Sequence, residues 1–371
     1  MDRRGFLKIG TLLPAAAAVS ATPALSTFAY ANVAPGDKWR VFEVTTKVEV
    51  LKSAGTTRVW LPLPLVTDTD YQKNLGSIWS VEGGTAVTAT DGKYGAELLH
   101  AEWPASVNNP VIQLSSRFAT RDRAVDLGKP GKPVNADPAE LQRYIAATEL
   151  MPTDGIVRDT ARDIVKNVRG GDIEKARAIY EWIVENTFRD PKTRGCGVGD
   201  IRAMLETRNL GGKCADLNAL FVGLARALGI PARDVYGVRV AKSEYGYRSL
   251  GVGTDNITKA QHCRAEFYSA SHGWVPVDPA DVRKVVLEEK PGTLLPLDDT
   301  QVRAARAKLF GAWEMNWLAF NTAHDIALPK ATRGKIGFLM YPQCETAGGR
   351  LDSLDPDNFR YQMTSHELRL T

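Results

Sequence analysis

The sequence predicts an α+β protein in which a small all-β sandwich precedes helices packed on an antiparallel sheet. Two observations carry this. Before about residue 121 the apolar residues recur with period two, and after about residue 138 they recur with period 3.6. Between the two regimes lies Gly128-Lys129-Pro130-Gly131-Lys132-Pro133, a Gly/Pro/Lys stretch of linker composition. The helical runs come first and strand-like runs follow, an order that belongs to α+β rather than alternating α/β folds.

In the first regime Phe42, Val44, Thr46, Val48 and Val50 alternate with more polar neighbours, as do Val59, Leu61, Leu63 and Leu65. Ile112, Leu114, Ser116 and Phe118 repeat the pattern, and Gly83-Gly84, Asp91-Gly92 and Asn108-Asn109-Pro110 supply turns. Strands with one buried face imply a sandwich over residues 32–127. His100 is its one histidine and it contains no cysteine, so packing or substrate presentation is its expected role.

Beyond the linker, residues 134–371 are expected to form the second domain. Pro138 can open a helix carrying Leu141, Tyr144 and Ile145, and a second helix follows Asp154 with Ile156, Val157, Ile164 and Val165. A third begins near Ile173 with an apolar stripe of Ala176, Ile179, Tyr180, Ile183 and Val184. Further helix is expected at 300–309, with closing strands at 336–341 and 359–367. Trp313, Trp317 and Phe320 between them read as core, with an aromatic wall to a cleft as the alternative.

Residues 1–31 read as an export signal. Arg3 and Arg4 precede Phe6, Leu7 and Lys8, an uncharged stretch runs from Ile9 to Leu25, and Ala29-Tyr30-Ala31 gives a small-x-small cleavage pattern. The segment resembles a twin-arginine signal, with Asp2 where Ser or Thr is more usual. Pro14 and Pro23 interrupt it, short of the ~20 apolar residues that a spanning helix needs. The expectation is a periplasmic protein with no stable membrane insertion after signal removal.

Composition narrows the function. Of 371 residues, 44% are hydrophobic and 24% charged, ordinary globular values that argue against wholesale disorder. Lys plus Arg number 47 against 43 Asp plus Glu, for a net +4, and loss of residues 1–31 leaves +2. So even a balance argues against nucleic acid as a partner. Four cysteines are too few for a disulfide scaffold, and no Cys/His spacing matches a zinc site.

Leu210-Gly211-Gly212-Lys213-Cys214 leads into a helix whose stripe is Cys214, Leu217, Phe221, Leu224 and Leu228, and which ends at Gly229 before Pro231. A cysteine at a helix N-terminus is favoured as thiolate, the nucleophilic form. Gly211 and Gly212 leave room for a substrate backbone. The run from Gln261 to Pro279 reads as a hairpin, and a turn centred on Ala270 sets His262 directly opposite Asp278. Cross-strand neighbours lie ~4.5–5.5 Å apart at Cβ, which suits a carboxylate that orients an imidazole. A one-residue slip would separate them onto opposite faces. Cys263 is then expected to face away from His262 as a packing residue, and Cys196 to border the cleft. His272, His324 and His366 read as surface or core. Pairing among Cys196, Cys263 and Cys344 is open.

From about Ile179 to Asp281 the chain resembles the transglutaminase-like superfamily of papain-type cysteine enzymes. Three blocks carry the resemblance: Ala178-Ile179-Tyr180-Glu181-Trp182-Ile183; then Gly212-Lys213-Cys214-Ala215-Asp216-Leu217-Asn218-Ala219-Leu220-Phe221 with Leu228-Gly229-Ile230-Pro231-Ala232-Arg233; then the hairpin. Cys263-Arg264 departs from the small and aromatic residues that often follow the histidine in relatives, which bears on substrate preference. The resemblance implies a papain/transglutaminase-like core, with Cys214 as nucleophile, His262 as general base and acid, and Asp278 as its orienter. It implies acyl transfer through a thioester on a peptide or protein substrate, without metal or organic cofactor. Hydrolysis (protease or amidase) is favoured, with protein-glutamine acyl transfer or a non-enzymatic peptide-binding scaffold as alternatives. The backbone N–H of Cys214 is one expected oxyanion donor.

Overall fold

The computed structural model describes residues 39–129 and 136–368. The expected signal segment and most of the linker lie outside them. Seven helices and seventeen strands form among the described residues. In chain order the strand-rich part comprises β1 (Arg40–Val50), β2 (Thr57–Pro62), β3 (Gln72–Val81), β4 (Thr85–Thr90), β5 (Glu97–Trp103), β6 (Val111–Thr120) and β7 (Arg123–Ala124). The helical part follows as α1 (Pro138–Arg143), α2 (Gly155–Val165), α3 (Asp172–Asn186), β8 (Phe188–Arg189), α4 (Ile201–Thr207), β9 (Gly211–Gly212) and α5 (Cys214–Ala227). Then come β10 (Ala232–Arg239), β11 (Gln261–Ser269), β12 (Gly273–Val277), α6 (Pro279–Glu288) and α7 (Thr300–Lys308). The chain closes with β13 (Ala312–Trp313), β14 (Trp317–Asn321), β15 (Gln343–Thr346), β16 (Gly349–Leu351) and β17 (Phe359–Leu368).

Three antiparallel sheets organise these elements. One has the order β17-β1-β6-β3, a second β16-β15-β2-β5-β4, and a third β12-β11-β10-β14. The first two face each other through Val48, Val59, Leu61, Leu99, Trp103, Ile112 and Phe359, which is the expected sandwich core. The other end of β1 packs elsewhere. Phe42 and Val44, with Phe118, meet Val238, Leu318 and Phe320 of the third sheet. One continuous apolar face of β1 therefore joins the sandwich to the central sheet.

Strand pairing crosses the expected division into 32–127 and 134–371. β17 pairs with β1 from Val41↔Leu368 to Val50↔Phe359, and β15 pairs with β2. The C-terminal strands thus complete the N-terminal sheets. Without them β1 and β2 would each leave a row of backbone groups unpaired. The expected strand at 336–341 does not form: Ile336 makes an isolated bridge to Ile326 and the rest is irregular.

Helix α5 packs on the third sheet, α3 touches β11, and α2 packs on α3 and α5. Every residue of α5 from Cys214 to Arg226 is buried, the pattern of a helix enclosed on all sides rather than one facing solvent. Even Arg226 is accommodated, because Nε donates to the Ala232 carbonyl at 2.8 Å and Nη1 to that of Ala146 at 3.1 Å. No helix among the described residues is long and apolar enough to cross a membrane.

Candidate active site

Cys214 is the first residue of α5 and is 4% exposed. Its position depends on Asp216 in the first turn. Oδ1 of Asp216 accepts the N–H groups of Val198 (3.0 Å) and Gly199 (2.9 Å), and Oδ2 accepts that of Lys213 (2.9 Å). One carboxylate thus pins the 195–199 loop to the helix start. The loop needs glycine to come this close: at Gly197, with φ +96°, a Cβ would lie 1.9 Å from Asp216 Oδ2. The carbonyl of Cys196 accepts the Ala215 N–H at 2.9 Å, which sets the Cys196 thiol beside Cys214. Thr187 ends α3, and β8 runs parallel to β9, so Arg189 stands beside Gly212.

His262 lies on β11 and Asp278 immediately follows β12, as the N-cap of α6. The hairpin register is two residues from that expected: Ala265 opposes Val277 and Ser269 opposes Gly273, so Asp278 is not directly across from His262. A two-residue shift preserves the face, and the diagonal neighbours still meet. His262 Nε2 is 2.7 Å from Asp278 Oδ2. This bond leaves Nδ1 as the imidazole nitrogen available to the thiol. The His262 carbonyl accepts from Trp317 Nε1 at 2.9 Å, so the expected core tryptophan also steadies the β11 backbone.

Sequence reasoning passed over the groups around this pair. Asn218, one turn along α5, donates to the Cys263 carbonyl (2.8 Å) and to Asp278 Oδ1 (3.2 Å). Asp281 lies 3.4 Å from His262 Nε2, and Arg239 grips both its oxygens at 2.6 and 2.7 Å. The spacing Asp278-Pro279-Ala280-Asp281, an N-cap followed by an acid at the third helical position, was the available sign. His262, Asp278 and Asp281 offer donor atoms within 4.8 Å of one another, a separation a metal could span. Arg239 already supplies the positive charge there, so the set does not need an ion.

Burial and charge shift the titrating groups in opposite directions. The Cys214 thiol is held well below the ordinary thiol range, chiefly by a hydrogen bond from Cys196, then by one from Cys263, with the bond and charge of His262 adding against burial. Cys196 and Cys263 are pushed well above it and stay protonated, and the Cys196 thiol also has the Gln261 carbonyl as an acceptor at 3.2 Å. Burial and Arg239 would lower His262, but Asp281 and Asp278 outweigh them and its pKa is raised. Cys263 packs as expected, fully buried on the face of β11 opposite His262 and beneath α5, where its thiol is near enough to act on the titration of Cys214.

Cys196, Cys214 and His262 line a cavity of about 640 Å³, while Asp278 is fully buried behind it. The remaining candidates stand apart. All four cysteines are free, with Cys344 in the sandwich core. His324 is buried against Tyr236, His272 bonds Ser271 in the hairpin turn, and His366 is exposed. Trp313 and Trp317 are fully buried core.

Comparison with known proteins agrees with this architecture. The sequence profile of the transglutaminase-like superfamily matches residues 158–279, which contain Cys214, His262 and Asp278. An uncharacterized protein of Haemophilus influenzae (strain ATCC 51907 / DSM 11121 / KW20 / Rd) is 37% identical over 331 residues, covering 85% of this chain and 88% of the relative. The crystal structure of a candidate cysteine protease from Cytophaga hutchinsonii shares the fold, with a TM-score of 0.51 and 15% identity over 88% of this chain and 98% of that one. With its mixed α/β fold, its sheet-rich N-terminal part and the core motif in place, the chain belongs to the transglutaminase-like superfamily.

Proposed function

We propose that the protein is a cysteine hydrolase of amide or peptide bonds, with Cys214 as nucleophile, His262 as general base and acid, and Asp278 as its orienter. The observation that carries the reading is the pairing of a lowered thiol with a raised imidazole on the wall of one cavity, the imidazole held by a buried carboxylate. The Cys214 thiolate attacks the substrate carbonyl carbon, and the resulting oxyanion is received by the Cys214 N–H at the start of α5. As the C–N bond breaks, the His262 imidazolium gives its proton to the departing amine and a thioester remains. Water then attacks the thioester while neutral His262 takes its proton. The carboxylic acid leaves and the thiolate is regenerated.

Hydrolysis is favoured over transfer because water reaches an open cavity freely, whereas transfer requires a bound amine. The test uses the purified protein, a peptide or protein substrate and a fluorescent primary amine. Release of new amino termini, lost in Cys214→Ala and in His262→Ala, is the expected result. Amine incorporation exceeding hydrolysis would make the protein an acyltransferase. Activity that persists in both variants would remove Cys214 and His262 from the chemistry.

We also propose that the protein acts in the periplasm on peptides or proteins, after export directed by Arg3 and Arg4 and cleavage after Ala31. Recovery of the chain from the host cytoplasm with Met1 intact would refute this.

A further inference from the structure

The cavity at Cys214 is lined by six basic side chains, Arg189, Arg194, Lys213, Arg239, Lys259 and Lys284, and by no acidic one among the described residues. Carboxylates outside the lining account for only part of this charge. Asp281 pairs with Arg239, Asp352 with Arg194 (2.5 Å), and Glu288 is shared between Arg189 and Lys284. Lys213 and Lys259 make no side-chain hydrogen bond or ion pair among the described residues. Lys213 immediately precedes the nucleophile. Lys284, one turn of α6 beyond Asp281, is only 18% exposed, so its charge is partly desolvated.

This excess is not needed to form the thiolate. The main groups holding Cys214 down are two thiols and His262, not these cations. A concave wall of one charge sign concentrates ligands of the other sign, and does so more strongly than a flat surface. Resting on the reading of Cys214 as nucleophile, we propose that the acyl donor is an acidic peptide, whose carboxylates are received by Lys213 and Lys259 while its amide lies at Cys214. Arg189, Arg194 and Lys284, each already paired, extend the positive rim. A neutral or basic peptide would leave the cations of the cavity wall unmatched, and a basic one would add repulsion.

The test separates substrate class from chemistry by measuring binding to the Cys214→Ala protein. The probes are a labelled peptide with Glu on both sides of its central amide, the same peptide with Gln in their place, and the Glu peptide with a free or an amidated C-terminus. At about 0.05 M salt the Glu peptide is expected to bind about tenfold more tightly than the Gln peptide, and the advantage should shrink at about 0.5 M. Lys259→Glu should reduce the Glu preference at least about threefold, and Lys213→Gln should do so too. A preference that follows the C-terminus rather than Glu assigns the site to a terminal carboxylate. Equal affinity for Glu and Gln peptides, or a preference untouched by both lysine changes, overturns the proposal.

Iodoacetamide labelling of Cys214 in the wild-type protein reports the thiolate independently. Sluggish labelling with the Glu preference intact removes the acyl-transfer reading and leaves the anion site standing. Rapid labelling with equal affinities does the opposite.

Discussion

The two oxygens of Asp278 serve different partners: Oδ2 lies 2.7 Å from His262 Nε2, and Oδ1 accepts the Asp281 N–H at 3.0 Å, capping α6. Orientation of the imidazole is thereby tied to the start of a helix packed against α3, α5 and α7. Asn218 bonds the capping oxygen as well, so α5, β11 and α6 converge on one fully buried carboxylate.

Replacing Asp278 separates its two roles. Asn is as good an N-cap as Asp, so Asp278→Asn should keep α6 and change stability little. It removes the charge that stabilises the imidazolium and can favour the wrong tautomer, so kcat should fall by about 10³–10⁴-fold. Asp278→Ala should lose activity similarly and lose about 1 kcal/mol or more of stability with the cap. Hydrolysis rates and denaturant unfolding of both variants check this. An Asn variant retaining activity within about tenfold would remove Asp278 as the orienter.

The thiol and imidazole shifts fix the pH dependence. Cys214 is lowered from 9.0, so its thiolate persists below the ordinary thiol range and is lost only as pH falls through the lowered value. His262 is raised from 6.5, so its proton persists above the ordinary value and is lost as pH rises through the raised one. For hydrolysis, kcat/KM should therefore be bell-shaped, with limbs that belong to the coupled pair. Cys196→Ala removes the largest cause of the thiol shift and should move the acid limb, and the midpoint of iodoacetamide labelling, to higher pH. An unmoved midpoint would show that the Cys196 thiol does not support the thiolate.

Asp281 is buried and held by Arg239 through both oxygens. Arg239→Met leaves that carboxylate without its guanidinium and should cost about 3–5 kcal/mol in denaturant unfolding. Arg239→Met combined with Asp281→Leu removes both charges and should recover most of the loss. A single variant within about 1 kcal/mol of wild type would mean that water or another cation compensates Asp281.

Local patterns were the legible part of this fold. The alternation of Phe42 to Val50 marks a half-buried strand, and the spacing from Cys214 to Leu228 marks a buried helix, because both follow from the chain's own periodicity. The hairpin was legible as a hairpin but not to the residue. Its turn lies one residue beyond Ala270, and turn geometry rather than side-chain pattern sets register. His262 and Asp278 meet regardless, since a two-residue shift keeps parity. What periodicity cannot encode is contact between distant segments. Nothing around Cys196 indicates that the 195–199 loop will be tied to Asp216, or that Arg239 will meet Asp281. Nor does the pattern of 359–367, read as a strand, say which sheet receives it.

That last relationship gives a direct test of how the chain is divided. β17 runs the length of β1, and Phe359 belongs to the sandwich core beside Val48 and Val50. Met363 meets Phe42 and Val44 where the sandwich joins the central sheet. A fragment ending at residue 127 lacks β15 and β17, so β1 and β2 would each present an open edge and part of the core would face water. It should aggregate or remain unfolded. Deleting 343–371 from the full chain should do the same to the sandwich and, through Phe42 and Val44, loosen the sheet that carries His262. Circular dichroism and amide-proton dispersion of the two truncated proteins measure this. A 32–127 fragment that gives a dispersed, cooperatively melting monomer would restore the division at the linker and make β17 an accessory strand.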